Sequence, residues 1–231
     1  VRGGYANSIA HNRKGTLLIS TAHIKPKHWD SKPAAFQPSA IHQWLARRRI
    51  TISLVGFTTL VLFNVFVMQT IPRNPLAITS LGSLAGTGLI WIGLAVRSWA
   101  AGTLNKSREL TMVGPYSLVR NPLYVGSFLM MMGFCILCRD WPTMLFVAGP
   151  MSYLYWKQVR FEEDKLSRMF PLQWDDYIQS TPRFIPVRLN RAVLGGWSLF
   201  EWQRNREHQA IVASLLGVLG VWIWFALRTS A

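Results

Sequence analysis

Half of the 231 residues are hydrophobic and only 15% are charged, below the roughly 25% of soluble domains. With eleven Trp, eight Met and a positive mean hydropathy, this composition argues against an ordinary soluble globule and for a membrane protein. The net charge of +15 is no nucleic-acid footprint, because the basic residues fall between apolar runs and no DNA or RNA motif accompanies them.

Residues 1–45 are basic and punctuated by Pro26, Pro33 and Pro38, with no helical or strand period. They read as a disordered tail ahead of a membrane domain over 46–231. No secretory leader is expected, since the first apolar run begins only near residue 50. Arg47, Arg48 and Arg49 stop at that run, Ile50–Gln69, which holds 20 uncharged residues. At 1.5 Å per residue such a helix crosses a hydrocarbon core of about 30 Å. After a short turn at 71–75, Leu76–Val96 forms a second uncharged run of 21 residues. Its Gly82-x-x-x-Gly86 and Gly88 suit close helix packing in lipid. No strand precedes these glycines and no Lys-Ser/Thr follows, so they are no nucleotide loop.

A polar, turn-rich stretch from Arg97 to Pro122 comes next, punctuated by Gly114-Pro115 and Asn121-Pro122. Leu123–Cys138 and Trp141–Trp156 are apolar, separated by the polar tip Arg139-Asp140, with Pro150 as an expected kink. Cys135 and Cys138 read as inert thiols inside an apolar run, without the second pair or the His that zinc would need. From Arg160 to Tyr177 the apolar residues keep a helical period, ended by Thr181-Pro182. Residues 189–206 mix Leu, Trp and Phe with Arg, which suits an interfacial segment. Ala210–Leu227 is the last uncharged run, 18 residues long.

The expected fold is therefore all-α and polytopic, with about five transmembrane helices. The tail, the 97–122 loop and the 157–209 stretch carry 22 of the Lys and Arg residues, and the opposite side carries 3. By the positive-inside rule the polar stretches face the cytoplasm together.

Two groups in those stretches carry chemistry. Tyr116, Arg120, Asn121 and Tyr124 offer a guanidinium, an amide and two phenols within nine positions. They serve either as interfacial anchors or as a binding loop. Glu162 and Glu163 are either a solvated helix face or an anionic clamp for a cationic ligand, with Arg160 as partner or carboxylate binder. The five His residues all lie outside both groups, which argues against His-based catalysis and a His metal site.

The ordered set Gly114-Pro-Tyr116, Arg120-Asn-Pro-Leu-Tyr124-Val-Gly126, Glu162-Glu163-x-x-Leu166-x-x-x-Phe170, Tyr177 and Thr181-Pro-Arg-Phe-Ile-Pro186 resembles the isoprenylcysteine carboxyl methyltransferase and phospholipid methyltransferase superfamily. The resemblance covers the motif core 97–186. It implies an integral membrane enzyme that uses S-adenosylmethionine, lacks a Rossmann domain, and binds its cofactor on the cytoplasmic side. By motif, Lys106, Glu109, Leu110, Tyr116, Arg120, Asn121, Pro122 and Tyr124 would line the cofactor pocket. Glu162 with Glu163 would hold the cofactor's ammonium end. Arg120, Asn121 and Arg160 are the candidate catalytic residues. A lipid-like acceptor, such as an isoprenylcysteine carboxylate or a phospholipid amine, would enter from the bilayer; no metal and no nucleic acid are implied. The expected site is the plasma membrane of a bacterium or the endoplasmic reticulum of a eukaryote. The family commonly has His where this chain has Asn121, and Gly where it has Pro171. The rival readings are a sterol-reductase-like enzyme with a nicotinamide cofactor and a non-catalytic scaffold of the same fold.

Overall fold

A computed structural model describes Val55 and residues 59–105, 109–187 and 191–230, all within a compact unit spanning Trp44–Ala231. The expectations placed on residues 1–45, on Lys106 and on the first part of the run from Ile50 lie outside the described residues. The described residues fold into helices, with no strand among them.

Helix α1, Thr59–Met68, is short and apolar, and its last turn, Asn64–Met68, widens to π geometry. Helix α2, Leu81–Thr103, starts at Ser80, whose side chain accepts from Ser83 N, satisfying one of the orphan N–H groups of a helix start. It runs seven residues past the expected end at Val96. Nothing in 97–103 breaks a helix, and the one charge there, Arg97, is neutralised by Glu207 at 3.0 Å. The polar loop therefore begins at Leu104.

Helix α3, Pro122–Cys138, packs antiparallel along α2 through two glycine pairs. A Cβ on Gly93 would lie 2.6 Å from the carbonyl oxygen of Gly126, and a Cβ on Gly133 would lie 2.6 Å from that of Gly86. Each helix thus offers glycines seven residues, or two turns, apart, so the backbones touch at two levels. This corrects part of the expected glycine pattern. Gly86 is in the seam, but Gly82 lies under the Arg73 side chain and Gly88 faces open space.

The Arg139-Asp140 tip behaves as expected. Arg139 takes a left-handed C-cap (φ 53°), and Asp140 accepts from Thr143 N at 2.9 Å and Thr143 Oγ1 at 2.6 Å to start α4, Trp141–Phe146. Arg73 N and Nε close the far end of α3 by donating to Leu137 O and Ile136 O. Pro150 sits in a π turn, Val147–Met151, where the missing N–H is absorbed without ending the rod. Helix α5, Ser152–Met169, follows directly.

The single helical period expected from Arg160 to Tyr177 is broken in two. Pro171 disfavours the helical region for the residue before it. Phe170 accordingly takes φ −133°, ψ 56°, and α6 restarts as Pro171–Ser180 with proline in its first turn. As expected, the helix ends at Thr181.

A 3₁₀ turn, Arg191–Leu194, leads to α7, Leu199–Arg204, and α8, Glu207–Ser230. Along α8 the buried positions Glu207, Ser214 and Val221 repeat every seven residues. Val221 joins Ile90 and Leu137 in an apolar core with Phe134, Cys138 and Val218 packed on it. Helices α2, with 23 residues, and α8, with 24, are long and apolar enough to cross a membrane.

Candidate functional site

The polar loop is shaped by its punctuation. Gly114 adopts φ +60°, a conformation that favours glycine, and a Cβ there would press on the Thr103 side chain at 2.8 Å. Pro115 then opens a 3₁₀ turn, Gly114–Ser117, closed by Ser117 Oγ donating to Gly114 O at 2.7 Å. This turn buries Tyr116 and offers its carbonyl to the Tyr177 hydroxyl at 2.8 Å. Arg120 N donates to Pro182 O at 2.9 Å. The loop is therefore bonded to both ends of the segment 177–182.

Pro122 occupies the first turn of α3, where its absent N–H costs nothing. Asn121 stands at the N-cap without capping through its side chain. Its amide instead donates to Glu163 Oε1 at 3.0 Å, across 42 residues of sequence.

The adjacent glutamates do different things. Glu163 is 6% exposed and saturated. Arg183 Nε reaches its two oxygens at 3.1 and 3.0 Å, and Arg183 Nη2 reaches Oε2 at 2.5 Å. Arg120 Nε lies 3.7 Å away. The carboxylate holds the Arg183 proton more tightly than usual through that hydrogen bond, against a smaller opposing effect of burial. Glu162 is half-buried. Its Oε1 accepts from the Tyr124 hydroxyl and from Gln158 Nε2, each at 2.8 Å. Its Oε2 carries no hydrogen bond among the described residues.

Two buried polar atoms beside this pair have no hydrogen-bond partner among the described residues: the Tyr116 hydroxyl and Arg120 Nε. Buried polar atoms ordinarily find partners, so these two are open to a further hydrogen bond, as are Asn64 Nδ2, Asn105 Oδ1, Glu201 Oε2 and Trp224 Nε1 elsewhere among the described residues. Burial, then the nearby Tyr177 and Glu162, push the Tyr116 phenol well above its ordinary range. Burial raises Tyr177 too, with Arg120 pulling the other way. Both phenols therefore stay protonated donors at neutral pH. The guanidinium of Arg120 lies 6.0 Å from the Trp174 ring centre, and that of Arg183 lies 5.0 Å from the Trp156 ring centre, distances at which a ring face attracts a cation.

A second charged group lies at the same end of α2 and α3. Arg97 forms a two-pronged pair with Glu207, both bonds 3.0 Å, and donates to Ser127 Oγ at 2.5 Å.

The structure brings Tyr116, Arg120, Asn121, Pro122, Tyr124, Glu162 and Glu163 together around the α3 N-terminus and α5. Leu110 is near them but apolar in role, packing with Trp174, Tyr177, Leu166 and Phe170. Glu109 is exposed and accepts from Asn105 Nδ2 at 2.7 Å. Arg160 is exposed on α5 and makes no ion pair among the described residues. Arg183 takes the carboxylate-pairing place expected for it.

Sequence reasoning gave no role to Gln158, Trp174, Arg183, Arg97 or Glu207. For Glu207 a signal existed: a lone acid on the threshold of an uncharged run needs a partner, and Arg97 was the arginine on the threshold of another. Among the described residues, no group of three His, Cys, Asp or Glu side chains is placed to hold a metal ion.

A phospholipid methyltransferase family model matches residues 88–173, a span that includes the 114–126 loop and both glutamates. The chain is 30% identical over 161 residues to the nickel-cobalt-cadmium resistance protein NccN of Alcaligenes xylosoxydans xylosoxydans, covering 67% of this chain and 72% of that relative. It is 29% identical over 174 residues to the cobalt-zinc-cadmium resistance protein CzcN of Cupriavidus metallidurans, covering 73% of this chain and 75% of that relative. No solved structure matches.

Proposed function

We propose a function from one premise: the chain belongs to the superfamily of isoprenylcysteine carboxyl and phospholipid methyltransferases. It transfers a methyl group from S-adenosylmethionine to a lipophilic acceptor at a membrane surface.

The observation that carries this reading is the open valence of the site. Glu162 keeps Oε2 free of hydrogen bonds among the described residues, and beside it the Tyr116 hydroxyl and Arg120 Nε are buried without a hydrogen-bond partner. A free carboxylate oxygen, a guanidinium N–H and a phenol donor are the set that an amino-acid ligand needs. The residues present fit the cofactor. Glu162 would hold its ammonium, Arg120 its carboxylate, and Tyr116 its remaining polar edge. What S-adenosylmethionine supplies when bound is a methyl group already activated on a sulfonium.

The chain's own residues then have two tasks, alignment and exclusion of water. Glu163 fixes Arg120 and Asn121 from one side, and Arg183 fixes Glu163 from the other. Asn121 cannot titrate, so it orients the site and moves no proton. A carboxylate acceptor needs no base at neutral pH, which favours a carboxylate over an amine as the methyl acceptor.

In this reading five spans cross the bilayer: the run from Ile50, α2, α3, the α4–α5 rod and α8. The charged contacts support that arrangement. Arg73 caps the C-terminal end of α3 and Arg228 Nη2 donates to Val65 O, whereas Arg97, Arg120 and Arg183 gather at the α3 N-terminus. The second end carries the many basic residues and faces the cytoplasm, with residues 1–45 as a tail outside the enzyme domain.

Calorimetric titration of the purified protein tests this. S-adenosylmethionine should bind and a reduced nicotinamide dinucleotide should not. Glu162→Gln should lose about 1.5–3 kcal/mol of binding, the worth of a hydrogen bond to a charged group, which is roughly tenfold to hundredfold in affinity. Equal affinity in the variant would overturn the site, and binding of the nicotinamide alone would favour a reductase.

A further inference from the structure

The segment 192–200 is more apolar on its surface than its place in the fold explains. Leu194, Trp197, Leu199 and Phe200 are all exposed, Leu194 at 95%. These side chains are not a frayed tail. Ser198 N donates to Gly102 O at 2.8 Å, Trp202 Nε1 donates to Ser98 Oγ at 2.7 Å, and Asn205 Nδ2 donates to Ala101 O and Leu104 O at 2.8 and 3.0 Å. The backbone is thus bolted to the last turns of α2, and three residues after Arg204 the chain enters α8 at Glu207.

That anchorage fixes the level of the segment. Both helices long and apolar enough to cross a membrane end or begin here, α2 at Thr103 and α8 at Glu207. A segment tied to both termini lies where hydrocarbon gives way to headgroups. At that depth, exposed Leu, Phe and Trp are stabilised by the acyl boundary while arginines reach the phosphates. Charge agrees: between residues 188 and 206 the sequence places four arginines against one acid, Glu201. Glu201 is itself paired with Arg204, and Arg206 stands exposed at the junction with α8.

We propose that residues 192–200 form an interfacial ledge that seats its apolar side chains in the leaflet on the active-site side and prefers anionic lipid. It rests on the reading that α2 and α8 cross the bilayer, but not on methyl transfer. The ledge lies beside Gly102 and the 114–117 turn. Trp197 covers Gly102, and Gly195 O approaches Gly114, so the leaflet surface is brought up to the loop that shapes the site.

The experiment uses the full chain in phosphatidylcholine vesicles, with and without about 30% phosphatidylglycerol as the anionic surface. A nitroxide is attached at Leu194→Cys, Phe200→Cys, Leu219→Cys on α8, or Lys165→Cys on α5. The parent chain with Cys135 and Cys138 serves as the blank. Collisions with oxygen report lipid, and collisions with a nickel chelate report water. Labels at 194 and 200 should lose access to the chelate relative to 165 and gain access to oxygen. The protection should grow with phosphatidylglycerol. A lipid-buried label at 219 together with water-exposed labels at 194 and 200 would overturn the ledge, including the case where a protein partner covers this face instead. A water-exposed label at 219 would overturn the membrane reading on which it rests. Protection indifferent to phosphatidylglycerol would overturn the preference for anionic lipid.

Discussion

The two adjacent glutamates should give opposite phenotypes. Glu163→Ala removes the acceptor that holds Arg183 at 2.5–3.1 Å, Asn121 at 3.0 Å and Arg120 at 3.7 Å. Removing one partner of a buried ion pair costs about 3–5 kcal/mol, because the other charge stays behind unpaired. Arg183 is 28% exposed and Arg120 13%, so water recovers part of that, leaving about 2–4 kcal/mol. For a chain of this size each kcal/mol shifts Tm by about 2–4 °C. A loss of about 4–16 °C is therefore expected for purified protein in detergent, read by intrinsic fluorescence on heating. Glu162→Gln keeps an oxygen for Tyr124 and Gln158, so its Tm should stay within about 2 °C, while its affinity for S-adenosylmethionine falls at least about tenfold. The reasoning fails if the pattern is reversed, with Glu163→Ala thermally silent and Glu162→Gln unstable but tight-binding.

Other variants separate packing from chemistry. Gly93→Ala puts a methyl 2.6 Å from Gly126 O and should destabilise by about 1–3 kcal/mol, whereas Gly88→Ala, which meets nothing within 4 Å, should be neutral or stabilising by up to about 1 kcal/mol; equal Tm values for both would refute the two-level glycine seam. Glu207→Leu strands Arg97 and should lower Tm, and Arg97→Leu added to it should restore much of the loss, a non-additivity that a double-mutant cycle measures. The raised phenols of Tyr116 and Tyr177 mean the folded state holds those protons after the unfolded chain has released them. Their stabilisation is full below about pH 10 and declines as pH rises further, by about 1.4 kcal/mol per pH unit per phenol. Tyr116→Phe should flatten that decline in an alkaline unfolding series, leave neutral-pH stability intact and weaken cofactor binding; an unchanged alkaline slope would refute the assignment.

Helices were legible in the sequence where hydropathy alone sets them. The apolar helices α2, α3 and α8, the Arg139-Asp140 tip, the Pro150 distortion and the stop at Thr181 are all local, and the structure has each of them. Boundaries failed where a distant residue decides. Arg97 reads as the end of an apolar run because its charge is visible and its partner, 110 positions away, is not. The Arg160–Tyr177 period reads as one helix because period counting ignores the cost that Pro171 imposes on Phe170. Gly82 and Gly88 read as packing residues because spacing does not say which face of α2 meets α3.

The same blindness explains the site. A sequence shows Glu162-Glu163 as two equivalent acids, and adjacent helical positions project about 100° apart. That angle makes the pair useful, because one carboxylate can be consumed by Arg183, Arg120 and Asn121 while its neighbour faces elsewhere with an oxygen to spare. Asn121 belongs to the same division of labour. Glu163 already has two guanidiniums near it, and a third cation would compete for one carboxylate. A neutral amide donates the needed hydrogen bond at every pH and adds no charge. At Asn121 this chain therefore has a donor whose strength does not depend on protonation, so Glu163 keeps this hydrogen bond whatever the pH.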